Sequence, residues 1–245
     1  MERVGGADGD GRMTVGALAL DFGGTLARPG PRPTGEVVAA ALKGMAGTRI
    51  PDGFAPLFDT VHQRVREADR ANGGHTPFAE EIRRTARECG AVVPDPEGAV
   101  PVVFTALPDA EVDPEAARAL RLMRETGLVC VMAADTERPE AVRRRTLERA
   151  GIGHCFDALV LSSELGVRKP NPAFYAAVVE AADCPPQEIL FVGNTPDKDI
   201  LGPRAHGMRS VLVAPDGRPP GLDERIPVIA HFADLPSYLA RRAGA

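Results

Sequence analysis

The segment Gly16-Ala17-Leu18-Ala19-Leu20-Asp21-Phe22-Gly23-Gly24-Thr25-Leu26 sets an acid, Asp21, where it could do chemistry. A short apolar run that halts at an acid and then at two glycines predicts a buried strand feeding a tight loop. In an open α/β sheet, ligands bind beyond the carboxyl ends of the strands, so Asp21 would stand at the mouth of a site as a nucleophile or a metal ligand. The same pattern also fits an acid that merely closes a strand with a surface turn. Three more segments have this form. Ala134-Asp135-Thr136 ends the apolar run 128–134. Gly166-Val167-Arg168-Lys169-Pro170 follows the run 158–161. Gly193-Asn194-Thr195-Pro196-Asp197-Lys198-Asp199 ends the run 189–192. Together they offer carboxylates for a cation, a lysine for a phosphate and loop amides for oxyanions. No segment is distinctive by itself; the ordered set is.

The elements that must position these residues follow from the spacing. Strands are expected at 128–134, 158–161, 189–192, 210–213 and 228–230, besides the one that leads into Asp21. Between them, 139–150 reads as a helix with an early proline and Gly151 after its end. A second begins at Asn171-Pro172, where Phe174, Ala177, Val178 and Ala181 share one face. A third closes the chain near 235–242. Strands alternating with helices imply an α/β fold with a doubly wound parallel sheet. Residues 30–115 break the rhythm, with helices expected near 35–45, 54–71 and 77–89 and no convincing strand. The expected organisation is a flexible tail at 1–12, a core formed by 13–29 and 116–245, and a smaller helical cap at 30–115 lying over the site as a lid.

Composition narrows the function classes. Hydrophobic residues make up 44% of 245, enough for a proper core, and the net charge is −5. The one basic block, Arg143-Arg144-Arg145, reads as a solvated helix face, so nucleic acid is not an expected partner. No apolar run approaches the length of a membrane span, and no membrane association is expected. Cys89, Cys130, Cys155 and Cys184 are scattered without a CxxC, a reduced pattern that points to a cytoplasmic protein, with Cys130 as buried packing. A monomer or homodimer is expected.

On these motifs the chain resembles the haloacid dehalogenase superfamily, whose members are mostly phosphatases. The resemblance spans nearly all of 14–240 and includes Lys169-Pro170-Asn171-Pro172 and Asp199-Ile200-Leu201-Gly202 followed by His206-Gly207-Met208. It implies that Asp21 is a nucleophile forming an aspartyl phosphate. It implies that Gly23 offers a backbone carbonyl to Mg2+, that Gly24 and Thr25 belong to the phosphate loop, and that Lys169 pairs with nucleophile and phosphate. It also implies that Asn194 and Asp199 stand at metal-ligand positions and that 30–115 is a helical cap. Three positions depart from the family pattern. Gly23 stands where the family has its general acid, Ala134 where a Ser or Thr holds a phosphate oxygen, and Asn194 where an Asp binds magnesium. Asp197 is a nearby reserve carboxylate, and Pro203 replaces a common alanine.

Each residue also has a plainer role. Asp199 would equally cap the following helix, and Asp135 would N-cap the helix at Pro139 while lining the site with Thr136. His75, in Gly73-Gly74-His75-Thr76-Pro77, falls in the cap, where substrate contacts belong, though a surface-loop histidine fits the segment better. His206 fits packing or surface. The expected function is a Mg2+-dependent phosphatase acting on a small phosphorylated metabolite. The competing readings are an impaired relative that only binds a phosphorylated ligand or a protein, a C–halogen hydrolase, and a phosphonate hydrolase with Lys43 as its Schiff base.

Overall fold

The computed structural model describes residues 14–243; the expected tail at 1–12 lies outside them. The apolar runs become strands of one parallel sheet: β1 (Ala17–Leu20), β4 (Val129–Ala134), β5 (Ala158–Leu161), β6 (Ile189–Gly193), β7 (Arg209–Val213) and β8 (Val228–Ile229). Their order is β5-β4-β1-β6-β7-β8. β1 is fully buried between β4 and β6, with Leu20 opposite both Met132 and Val192. The chain winds outward from β1 to β5 and then returns to its other side, so the switch point of the sheet falls at the end of β1.

Helices cover both faces: α5 (Pro114–Glu125), α6 (Glu140–Arg149), α8 (Pro172–Ala182) and α10 (Leu235–Ala243), with the short turns α7 (Ser162–Leu165) and α9 (Gly202–Ala205). Their starts are written locally. Asp113 accepts the amides of Glu115 and Ala116 ahead of α5, and Asn171 accepts that of Ala173 ahead of α8, each followed by a proline at the first helical position. One face of the sheet packs Leu18, Leu20, Met132 and Leu190 against α5 and α10; the other packs Ala19, Val131 and Phe191 against Phe174, Tyr175 and Val178 of α8.

Between β1 and α5 lie four helices, α1 (Gly35–Lys43), α2 (Phe54–Asn72), α3 (Phe78–Cys89) and α4 (Pro96–Ala106). They share an apolar centre built on Phe54, Phe58, Phe78, Ile82 and Phe104. α4 was not among the expected helices, because Pro101 interrupts its pattern; its start is nevertheless marked by Asp95, which caps Gly98, and by Pro96. The stretch also holds a strand that its composition did not announce. β3 (Glu111–Val112) pairs antiparallel with β2 (Ala27–Arg28), forming a small two-stranded sheet beside the loop after β1.

Candidate active site

Asp21 follows β1 directly, and its amide is bonded to the Val192 carbonyl, 2.9 Å away. Asp21 is 8% exposed. Oδ1 accepts from Lys169 Nζ at 2.8 Å and Oδ2 from Thr25 Oγ1 at 3.1 Å. The Lys169 ammonium is 2% exposed and uses all three donors: Asp21, Asp199 Oδ1 at 2.8 Å and the Ala133 carbonyl at 2.9 Å. Burial works against the ammonium, but Asp21 and Asp199 overturn it and hold Lys169 well above its ordinary value. Burial likewise pushes the Asp21 carboxyl up, with Lys169 opposing. The site therefore keeps a charged lysine locked between two carboxylates.

Asp199 was expected among the metal ligands or as a helix cap. Its Oδ2 accepts the amides of Asn194 (3.1 Å) and Thr195 (2.9 Å), and its Oδ1 holds Lys169. Three of its roughly four acceptor positions are thus spent inside the protein. It organises the loop after β6 and orients Lys169. Gly193 makes room for this fold-back, since a Cβ there would lie 2.4 Å from Asp199 Cγ.

A second glycine is required at Gly24. Its φ is +84°, and a Cβ would fall 2.1 Å from Asn194 Nδ2. The Asn194 amide therefore lies directly over the turn that follows Asp21. Among the described residues no cluster of three or more acidic, histidine or cysteine side chains is arranged to hold a metal ion. What the site offers is one carboxylate, Asp21, with two neutral oxygens, the Gly23 carbonyl and the Asn194 side chain. These are hard donors of the kind Mg2+ takes when it keeps several waters and leans on a substrate phosphate. The set suits that ion, and weakly.

Asp135 does not cap α6. Its Oδ1 accepts the Lys169 amide at 3.0 Å and its Oδ2 the Lys198 ammonium at 2.8 Å, and the cations Lys169, Lys198 and Arg168 outweigh burial to hold its carboxyl below the usual range. Thr136 Oγ1 accepts from the Arg138 amide at 3.0 Å. These residues, with Asp21, Gly23, Lys169, Asn194, Asp199 and His75, border one cavity of about 390 Å³; Gly24 and Thr25 do not line it. Asp197 is exposed and does not reach it. Lys43 ends α1 on an exposed face, and among the described residues no lysine from α1 to α4 lines the cavity.

His75 is not a surface-loop residue. It is 8% exposed, lines the cavity, and is held below its ordinary value by burial. Its amide donates to the Gly166 carbonyl (2.8 Å), and the Arg168 amide donates to that of Gly73 (3.1 Å). A two-strand bridge thus ties the loop between α2 and α3 to the loop that bears Lys169. Arg143 is likewise not on a solvated face. It is 5% exposed, lies over the Phe22 ring at 4.2 Å and shares Asp109 with Arg138. Arg138 also donates to the carbonyls of Pro31 and Pro108, on the two segments joining α1–α4 to the sheet. Arg138, Arg168 and Lys198 had no sequence motif of their own; the only signal was that Arg138 follows Asp135 closely, Arg168 adjoins Lys169 and Lys198 stands between Asp197 and Asp199. His206 packs on Tyr175, as one of its two readings had it.

A family model described as haloacid dehalogenase-like hydrolase matches residues 15–207. The chain is similar to a phosphoserine phosphatase from Thermus thermophilus, 31% identical over 144 residues, 58% of this chain and 57% of that protein. It is also similar to haloacid dehalogenase-like hydrolase domain-containing protein 3 from Bos taurus, 26% identical over 241 residues with 93% of each covered. The matches to the first three curated relatives span 57%, 42% and 30% of those proteins, so these likenesses reach only part of each. Among solved structures, a 2-haloacid dehalogenase from Pseudomonas syringae superposes with a TM-score of 0.67 at 20% identity, covering 93% of this chain and 99% of that one. This last likeness is one of fold. No described helix is long and apolar enough to cross a membrane.

Proposed function

The chain belongs to the haloacid dehalogenase-like hydrolase family, and on that premise we propose that it is a Mg2+-dependent phosphatase for a small phosphorylated metabolite. The observation that carries this is the buried Asp21–Lys169–Asp199 arrangement at the switch point of the sheet, opening on a cavity lined mainly by charged groups. Asp21 attacks phosphorus, a P–O bond to Asp21 forms, and the bond to the substrate oxygen breaks. That oxygen takes its proton from water or from a group other than Gly23, which has no side chain to give one. Water then attacks the aspartyl phosphate, releasing inorganic phosphate and restoring the carboxylate. Lys169 neutralises charge on the phosphoryl oxygens throughout. Mg2+, held by Asp21, the Gly23 carbonyl and Asn194, would supply further neutralisation at those oxygens.

The likeness to a phosphoserine phosphatase supports phosphate esters over carbon–halogen bonds, and the exposed Lys43 leaves the phosphonate reading without its base. A panel of phosphorylated metabolites, assayed with and without magnesium, tests the proposal. Release of phosphate that requires magnesium is the expected result. Release of halide from a haloacid, with no phosphate ester hydrolysed, would contradict it. The missing groups at Gly23, Ala134 and Asn194 favour one other reading, a protein that binds the phosphorylated compound without turning it over.

A further inference from the structure

We propose that the substrate carries a second anionic group, a carboxylate or a second phosphate, received at the cavity mouth by Arg32, Arg66 and Arg70. This rests on the phosphatase reading above. Eight cationic side chains line the cavity against seven carboxylates, in a chain whose net charge is −5. The balance at the wall is more positive than that count by one, because the Glu81 carboxylate is turned onto His62 Nδ1 at 2.6 Å; Asp69, bonded by the amide and hydroxyl of Thr76, keeps its charge. Of the cations, Arg138 and Arg143 share the one carboxylate of Asp109, and Arg168 and Lys198 share that of Asp135. Arg138 Nη1, Arg143 Nε and Arg168 Nε are buried donors with no acceptor. Buried charges are ordinarily paired, so a wall with this surplus is one that an anion completes.

One phosphate does not suffice. A phosphate monoester brings about −1.5 to −2 charges near neutral pH, and the Mg2+ proposed to accompany it brings nearly the opposite. The surplus of the wall is left over.

The exposed edge of the wall locates the second group. Arg66 holds Glu137 at 2.9 Å, whereas the solvent-exposed Arg32 and Arg70 make no ion pair or side-chain hydrogen bond among the described residues and are free to turn onto a ligand. Arg66 and Arg70 stand one turn apart on α2 and present the same face. Arg32 comes from the segment that leaves β2. All three border both the active-site cavity and an adjoining crevice of about 360 Å³, which His62 also lines. His62 Nε2 is buried there without a hydrogen-bond partner, 4.0 Å from Glu137. A group extending from a phosphate at Asp21 toward the mouth meets these guanidinium groups, which suit carboxylate and phosphate alike.

Two matched pairs test this: 3-phosphoglycerate against glycerol 3-phosphate, and fructose 1,6-bisphosphate against fructose 6-phosphate. Binding is measured by calorimetry on full-length Asp21→Asn protein, with and without Arg32→Gln and Arg70→Gln, and turnover on the wild type. The expected result is that the doubly anionic member of at least one pair binds about tenfold tighter or more, and that the arginine substitutions remove most of that ratio. Which pair shows it tells carboxylate from phosphate. Equal binding within both pairs, or a ratio unchanged by the substitutions, overturns the inference whether or not the wild type hydrolyses these esters. Binding as expected with no turnover of any ester leaves the inference standing and defeats the phosphatase reading instead.

Discussion

Replacing Lys169 by methionine perturbs the site at its most constrained point. Methionine fills similar space but removes a charge that is 2% exposed and bonded to Asp21, Asp199 and the Ala133 carbonyl. Asp21 and Asp199 are 8% and 1% exposed, so little water can replace the ammonium. Breaking a buried ion pair by removing one partner costs roughly 3–5 kcal/mol, because it strands the other charge. For a domain of this size each kcal/mol moves Tm by about 2–4 °C, giving a fall of about 6–20 °C. The loss depends on pH in a definite direction. Without the ammonium, Asp21, which burial already holds above its ordinary value, loses the charge that opposes that shift and rises further. Stability from such a group is fully present below the unfolded pKa, near 4, and is lost as pH rises through the folded one. In the wild type, Lys169 is raised well above its ordinary value, so its contribution stays intact until strongly alkaline pH. The gap between the two proteins therefore widens from about pH 4 toward neutrality. Thermal unfolding followed by circular dichroism at several pH values measures it, alongside phosphate release, which the variant should lose. A variant that melts with the wild type, or a gap that widens toward acid, refutes the reasoning.

Three other outcomes are expected. Gly24→Ala forces a side chain into a left-handed conformation, at about 1–2 kcal/mol, and pushes the Asn194 amide from the turn; Tm and magnesium affinity should both fall, and a variant unchanged in both would remove Asn194 from the site. Asn194→Asp adds a second carboxylate to the oxygen set and should tighten magnesium binding in a direct titration; equal or weaker affinity counts against Asn194 as a ligand, though activity need not rise, since the new charge also attracts Lys169. Because Gly23 cannot donate the proton that is worth roughly 10²–10⁴-fold in rate, acyl phosphates and sugar 1-phosphates should outpace phosphates of simple primary alcohols. A preference for the latter that survives His75→Ala would defeat both the leaving-group argument and His75 as a substitute donor.

The strands and their polar ends were legible because a buried parallel strand must be an apolar run, and a run ending in Asp, Asn or Thr marks the edge where chemistry sits. The helix start at Pro172 was equally local, with its capping amide one residue earlier; α5 carries the same signal at Asp113-Pro114 but was not among the expected helices. What the sequence hid was decided across the fold. Arg143 sits in a run of three arginines, and nothing nearby shows that Asp109 and Phe22 lie opposite it while Arg144 and Arg145 face solvent. His75 lies in a glycine-rich turn that looks exposed until Gly73 and Gly74 bridge to the loop at Gly166 and Val167. Asp199 has the right position for a metal ligand, but the bend after Gly193 turns it onto Lys169 and two amides. β3 is two residues long, too short to leave a period.

The central claim is that Asp21 carries the phosphoryl group during turnover. Rapid quenching of the enzyme in acid during hydrolysis of an active substrate, followed by mass spectrometry of its peptides, tests it directly. The expected result is one phosphoryl group on the peptide containing Asp21, sensitive to hydroxylamine and absent from a folded, inactive Asp21→Asn protein. Steady hydrolysis with no label on that peptide, or undiminished activity of Asp21→Asn, would contradict it.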